Sequence, residues 1–143
     1  MAALFKQRLI KPGRDFNYAE GVKVLNSTTS IITKDTVVMA TGYEGPFIKV
    51  TTAVGTAKGA RGRLLILKHD LPASGYGVGL PWKLVVTALD FSAGAVGDQV
   101  FISDASAPAL SAGTKSRVIG HVVDNSASAG AYLFCGEISD QAA

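Results

Sequence analysis

What most constrains this chain is its punctuation. Short runs of β-branched and aliphatic residues recur roughly every 8–15 residues, each bounded by glycine, proline or polar turn residues. Val22–Asn26, Thr36–Ala40, Phe47–Val50, Arg63–Lys68, Trp82–Leu89, Gln99–Ser103, Arg117–Val123 and Ala131–Cys135 read as strands. Residues 53–62 read as a glycine-rich basic loop, and Leu71–Pro81, with Gly75, Gly77 and Gly79 in alternation, as a second loop. Sixteen glycines and many Ala, Ser, Thr and Val favour strands and tight turns over helices. The expectation is an all-β domain, a small β-barrel or sandwich.

A chain of 143 residues suits one domain with a single real core. Hydrophobic residues make up 48% and charged residues only 17%, too apolar and too weakly charged for disorder. The same balance suggests that other chains cover part of the surface. Residues 1–20 stand apart. Pro12-Gly13 interrupts them, and Leu4, Phe5, Leu9, Ile10, Phe16 and Tyr18 are scattered among charges with no packing period. That pattern predicts an extended N-terminal arm over 1–20 that orders against something else, followed by one β-rich domain over 21–143.

The net charge of +3 is unevenly placed. Residues 1–23 carry +3 and residues 49–83 carry +5, whereas residues 84–143 carry −4. Such a molecule can pair head to tail with its own copies or with a charged lattice. Cys135 is the single cysteine, so an internal disulfide is excluded, and within Ala131–Cys135 it reads as a small buried apolar residue. A charge at Lys6 precedes any apolar stretch of signal-peptide length, and no window reaches the ~18 apolar residues of a membrane-spanning helix. The expectations are synthesis in a reducing cytoplasm and no membrane partner. Asn26-Ser27-Thr28 matches a glycosylation sequon, which carries no weight without a secretory signal.

Catalytic chemistry finds little support. His121 lies inside an apolar strand and reads as a satisfied structural histidine, while His69-Asp70 reads as a turn. Two histidines and one cysteine offer no zinc-ligand spacing, nothing resembles a nucleophile elbow, and the carboxylates are sparse. No catalytic residue, metal or cofactor is therefore expected. Lys58, Arg61 and Arg63 in the glycine loop lack the order of a phosphate-binding loop and are not followed by a helical pattern. They read as a flexible connection between strands, as a contact for an acidic protein surface such as a lattice, or as a contact for a nucleic-acid backbone. Tyr43, Phe47, Tyr76, Trp82, Phe91, Phe101, Tyr132 and Phe134 form no compact base-stacking motif, and aromatics in strands are expected in the core.

A weak internal echo links Ile32–Val37 with Ala95–Val100, each an acidic turn before an apolar strand. A true duplication would make two hairpin units that close one barrel. The C-terminal half has a further order: Ala95-Val-Gly-Asp-Gln-Val-Phe-Ile102, Leu110-Ser-Ala-Gly-Thr114, Val118-Ile-Gly-His-Val-Val123 and Ala129-Gly-Ala-Tyr-Leu-Phe134. With Ile31–Val37 upstream, this order resembles the capsid decoration (cement, head-stabilising) proteins of tailed bacteriophages over about residues 20–137.

The resemblance implies a β-tulip-like body and homotrimers at local three-fold positions on the expanded head. The partners would be the major capsid protein and other copies of the chain, at the virion capsid surface, with no direct nucleic acid. It also implies an arm that adds strands to the capsid protein. Leu9, Ile10, Phe16 and Tyr18 are the expected anchors of that arm, with Arg8 and Arg14 pairing acidic capsid groups. The rival expectation is an OB-like nucleic-acid-binding barrel using the basic 58–63 loop, suggested by a pI near 9.1.

Overall fold

The computed structural model describes residues 21–54, 62–103, 107–110 and 117–136. Among these residues there is no helix, and the strands are β1 (Val22–Asn26), β2 (Val37–Glu44), β3 (Phe47–Thr52), β4 (Leu64–Leu67), β5 (Tyr76–Leu80), β6 (Trp82–Val86), β7 (Gln99–Ile102), β8 (Pro108–Ala109), β9 (Arg117–Asp124) and β10 (Ala131–Cys135). The protein is all-β, and it contains a closed barrel in the order β1-β3-β2-β4-β5, whose β1–β3 contact is parallel. The second half forms a five-stranded antiparallel sheet, β6-β10-β9-β7-β8.

The barrel is complete within residues 22–80, so the echoed halves do not close it together. Ile32–Val37 leads into a barrel strand, and Ala95–Val100 leads into a strand of the open sheet.

β4 explains how the two layers hold together. Leu64-Leu65-Ile66-Leu67 is buried at every position, as expected of a strand covered on both faces. Leu65 and Leu67 fill the barrel with Val24, Val38, Val50 and Leu71. Leu64 and Ile66 point the other way, into a second cluster with Val85, Val100, Ile119, Tyr132 and Phe134 of the open sheet. β2 divides in the same way, Val37 to the shared layer and Val38 to the barrel.

Polar ties fix this contact. The Leu64 amide donates to the Gly136 carbonyl at 3.0 Å, and the Gly136 amide donates to the Pro81 carbonyl at 2.9 Å. A Cβ on Gly136 would lie 1.9 Å from the Leu64 carbonyl oxygen, so only glycine permits the approach. The buried Arg117 guanidinium donates to the carbonyls of Gly62 and, at 3.3 Å, Gly136. The Lys83 ammonium donates to the Asp35 carboxylate, joining β6 to the β1–β2 connection.

Residues 71–81 depart from expectation, because two of the alternating glycines, Gly77 and Gly79, belong to β5 rather than to a loop, while Gly75 precedes it. A Cβ on Gly77 would lie 2.8 Å from Leu71 Cδ1, and one on Gly79 would crowd Leu65 and Val24 at 3.1–3.2 Å. These glycines face the interior of a narrow barrel, where β1 and β4 come too close for a side chain.

The sequon at Asn26 also has a structural role. Asn26 is buried, its amide donates to the carbonyls of Ser30, Leu71 and Pro72 at 2.8–3.1 Å, and its carbonyl accepts from the Thr28 amide and hydroxyl at 2.7–2.8 Å. With the backbone bridge between Ile32 and Leu71, this network closes one end of the barrel. Asn26→Ala would orphan several buried groups.

Two outcomes follow from the shared core. Ile66→Ala, on one face of β4, and Leu67→Ala, on the other, should each cost about 2–5 kcal/mol. Each should lower a single cooperative urea transition monitored by near-UV and far-UV signals; separate barrel and sheet transitions would contradict this. Burial, and then the charge of Asp35, raise the Tyr132 hydroxyl pKa above that of free tyrosine. The raised value favours the fold below the unfolded-state pKa of about 10, and that contribution is lost as pH rises toward the folded-state value. Tyr132→Phe should therefore reduce the fall in the urea midpoint above pH 10; an identical fall in both proteins would contradict this.

Candidate functional site

The end of the barrel opposite the Asn26 network gathers the starts of β1, β3 and β4 and the ends of β2 and β5. It opens into a cavity of about 250 Å³ lined by Val22, Val38, Ala40, Ile48, Leu65 and Arg63. The wall is apolar because alternate residues of β1, β2, β3 and β4 point inward. Arg63 is exposed and supplies the charged group on that lining.

The chain reaches this end at Gly21, whose φ of +98° turns the backbone against β5. A Cβ there would lie 2.3 Å from Val78 Cγ1 and 2.8 Å from the Gly79 carbonyl oxygen. Only glycine fits this close approach at the first described residue. Two regions distant in sequence thus converge on one opening: the base of the N-terminal segment at Gly21–Val22, and the end of the basic connection at Arg63. The expected arm residues Arg8, Leu9, Ile10, Arg14, Phe16 and Tyr18 lie outside the described residues, as do Lys58 and Arg61.

A second cluster lies on the outer wall of the barrel and was not legible as a motif. Phe47 of β3 and Tyr76 of β5 meet with ring centroids 4.4 Å apart, and the Lys23 ammonium sits 6.0 Å from the Phe47 centroid. Beside them is a polar cleft of about 310 Å³ lined in part by Ser27, Glu44, Lys49 and Tyr76. The register that sets Leu25 of β1 between Lys49 and Tyr76 brings these residues together from three strands. No local spacing announces such a group.

The expectation that strand aromatics lie in the core holds for Tyr132 and Phe134, and Phe91 is buried outside any strand, but Tyr43, Tyr76 and Trp82 are exposed. His121 is likewise exposed rather than internal, since it shares the outward row with Leu133 and Leu84. Cys135 is half-buried, opposite Trp82. Among the described residues no three His, Cys, Asp or Glu side chains are placed to hold a metal ion.

Comparison of the chain with family models, curated proteins and solved structures gave no match.

Arg63 and Leu65 separate the surface and interior roles of the opening. Arg63→Glu should leave the urea midpoint close to the parent value, within about 0.5 kcal/mol in stability. Leu65→Ala should cost about 2–5 kcal/mol, because Leu65 also fills the barrel core. Equal losses in the two variants would show that the opening is not organised as described.

Proposed function

We propose that this chain is a structural virion protein that decorates the outside of an assembled phage capsid and stabilises the expanded head. The trimer at local three-fold positions and the gripping arm come from the sequence resemblance. The observation that carries the reading is the convergence of Gly21–Val22 and Arg63 on one open, apolar end of the barrel. In this reading that end faces the capsid protein. Residues 1–20 lie along a sheet edge of the lattice, and the basic connection meets acidic capsid groups. Backbone pairing along an edge needs no deep pocket, and many copies on one lattice turn modest individual contacts into a strong collective one.

A specific observation favours a second reading, nucleic-acid binding by the barrel wall. Lys23 and exposed Tyr76, with half-buried Phe47 between them, combine positive charge with aromatic surface, the pairing used to hold single strands. The acidic bias of residues 84–143 and the modest net charge of +3 weigh against a backbone-tracking surface across the whole molecule.

Deleting residues 1–18 should abolish co-sedimentation with expanded heads while leaving the urea midpoint unchanged. Undiminished binding by the truncated protein would remove the arm from the account. Retention of the full chain on single-stranded DNA, lost steeply as salt rises, would instead favour the second reading.

A further inference from the structure

The outward face of the second sheet is unusual for an antiparallel sheet that fronts solvent. Such faces normally alternate with polar residues, yet the outward positions of β6 are Trp82, Leu84 and Val86, exposed to 60%, 54% and 69%. Register sets Leu133 of β10, 41% exposed, directly opposite Leu84, and Cys135 opposite Trp82. These side chains make one strip. Together Trp82, Leu84, Val86 and Leu133 present roughly 400–500 Å² of apolar surface, within the range of patches that are often functional on a monomer. It is also half or more of the ~800 Å² that each partner gives to a standard interface.

Among the described residues β6 is the edge strand of its sheet, paired there to β10 alone, so the strip borders a backbone edge that no described strand covers. A long, flat, apolar edge is a liability unless something covers it.

Charge identifies the cover. The strip ends at Val86, where the row across β10 leads to Asp124 on β9, and Asp90 follows in the next turn. The hydroxyl and then the amide of Ser92 lower the Asp90 pKa, and those of Ser126 do the same for Asp124, so both carboxylates stay ionised at neutral pH. The barrel wall around Phe47 and Tyr76 is a different kind of surface: exposed Tyr76 against half-buried Phe47, Lys23, Lys49 paired with Glu44 at 3.9 Å, and a cleft of about 310 Å³, so its two lysines outnumber its one carboxylate.

We infer that a second copy of this chain covers the β6–β10 strip, and that it does so with its barrel wall. Trp82 of one copy enters the cleft beside Tyr76 of the next, and the Asp90/Asp124 end meets the Lys23/Lys49 side. Trp82 suits that cleft because its indole ring buries apolar area while its N–H can donate to Glu44 or Ser27 there. Because the two surfaces are different patches of one molecule, the contact is heterologous and repeats head to tail until a ring closes. The inference rests on the assembly reading above and supplies the contact for its trimer.

The test is solution mass by light scattering, without capsids. The full chain should form a closed oligomer. Trp82→Glu, and separately Tyr76→Glu, should each yield folded monomers with melting curves close to the parent's. An equimolar mixture of the two should give dimers, since each pair retains one intact strip and one intact wall. Leu84→Lys provides a second strip variant should Trp82→Glu fail to fold. A monomeric parent, variants that keep the parent mass, or a mixture that remains monomeric would overturn the inference. Ring formation without capsid binding would leave the inference standing and remove the decoration reading; capsid binding by a solution monomer would do the reverse.

Discussion

The structure depends on burying β4 from both sides. A four-residue strand with aliphatic side chains on both faces can be satisfied only when the barrel closes over one face and the second sheet covers the other. This double burial packs together two sheets that share no hydrogen-bonded ladder among the described residues. Gly136 and Arg117 then complete the junction with backbone and guanidinium hydrogen bonds that a larger residue at position 136 would prevent.

Once that junction is fixed, the two ends of the barrel acquire different characters. One is closed by the Asn26 network and the Ile32–Leu71 bridge. The other opens on an apolar cavity lined by Val22 and Arg63 among others, with Gly21 beside it. Polarity of this kind suits a part that binds by one end and leaves its walls for neighbours. The outward strip on β6 and β10 and the lysine-flanked aromatic wall are then available to other copies.

Much of the fold was legible in the sequence because strand residues and turn residues alternate sharply. Val22–Asn26 and Ala131–Cys135 match their strands end to end, and the remaining expected strands differ mainly at their boundaries. β5 was hidden because its glycines look like loop signals; their meaning lies in the closeness of Leu71, Leu65 and Val24, which only the closed barrel creates. β8 was hidden by its length of two residues. The site was less legible. Arg63 could be singled out by charge, but its place beside Val22 depends on strand order, and the Phe47–Tyr76–Lys23 group depends on register across three strands. The exposed aromatics were misread for a physical reason: alternation assigns residues to two faces without saying which face a second sheet will cover.

The proposed decoration role puts the open end of the barrel against a capsid. Electron cryomicroscopy of expanded heads incubated with the protein tests it most directly. Barrel-and-sheet density is expected at the local three-fold positions, with Arg63 and the Gly21 end toward the lattice and the Asn26 end pointing away. Heads without added density, or density with the Asn26 end against the lattice, would contradict it.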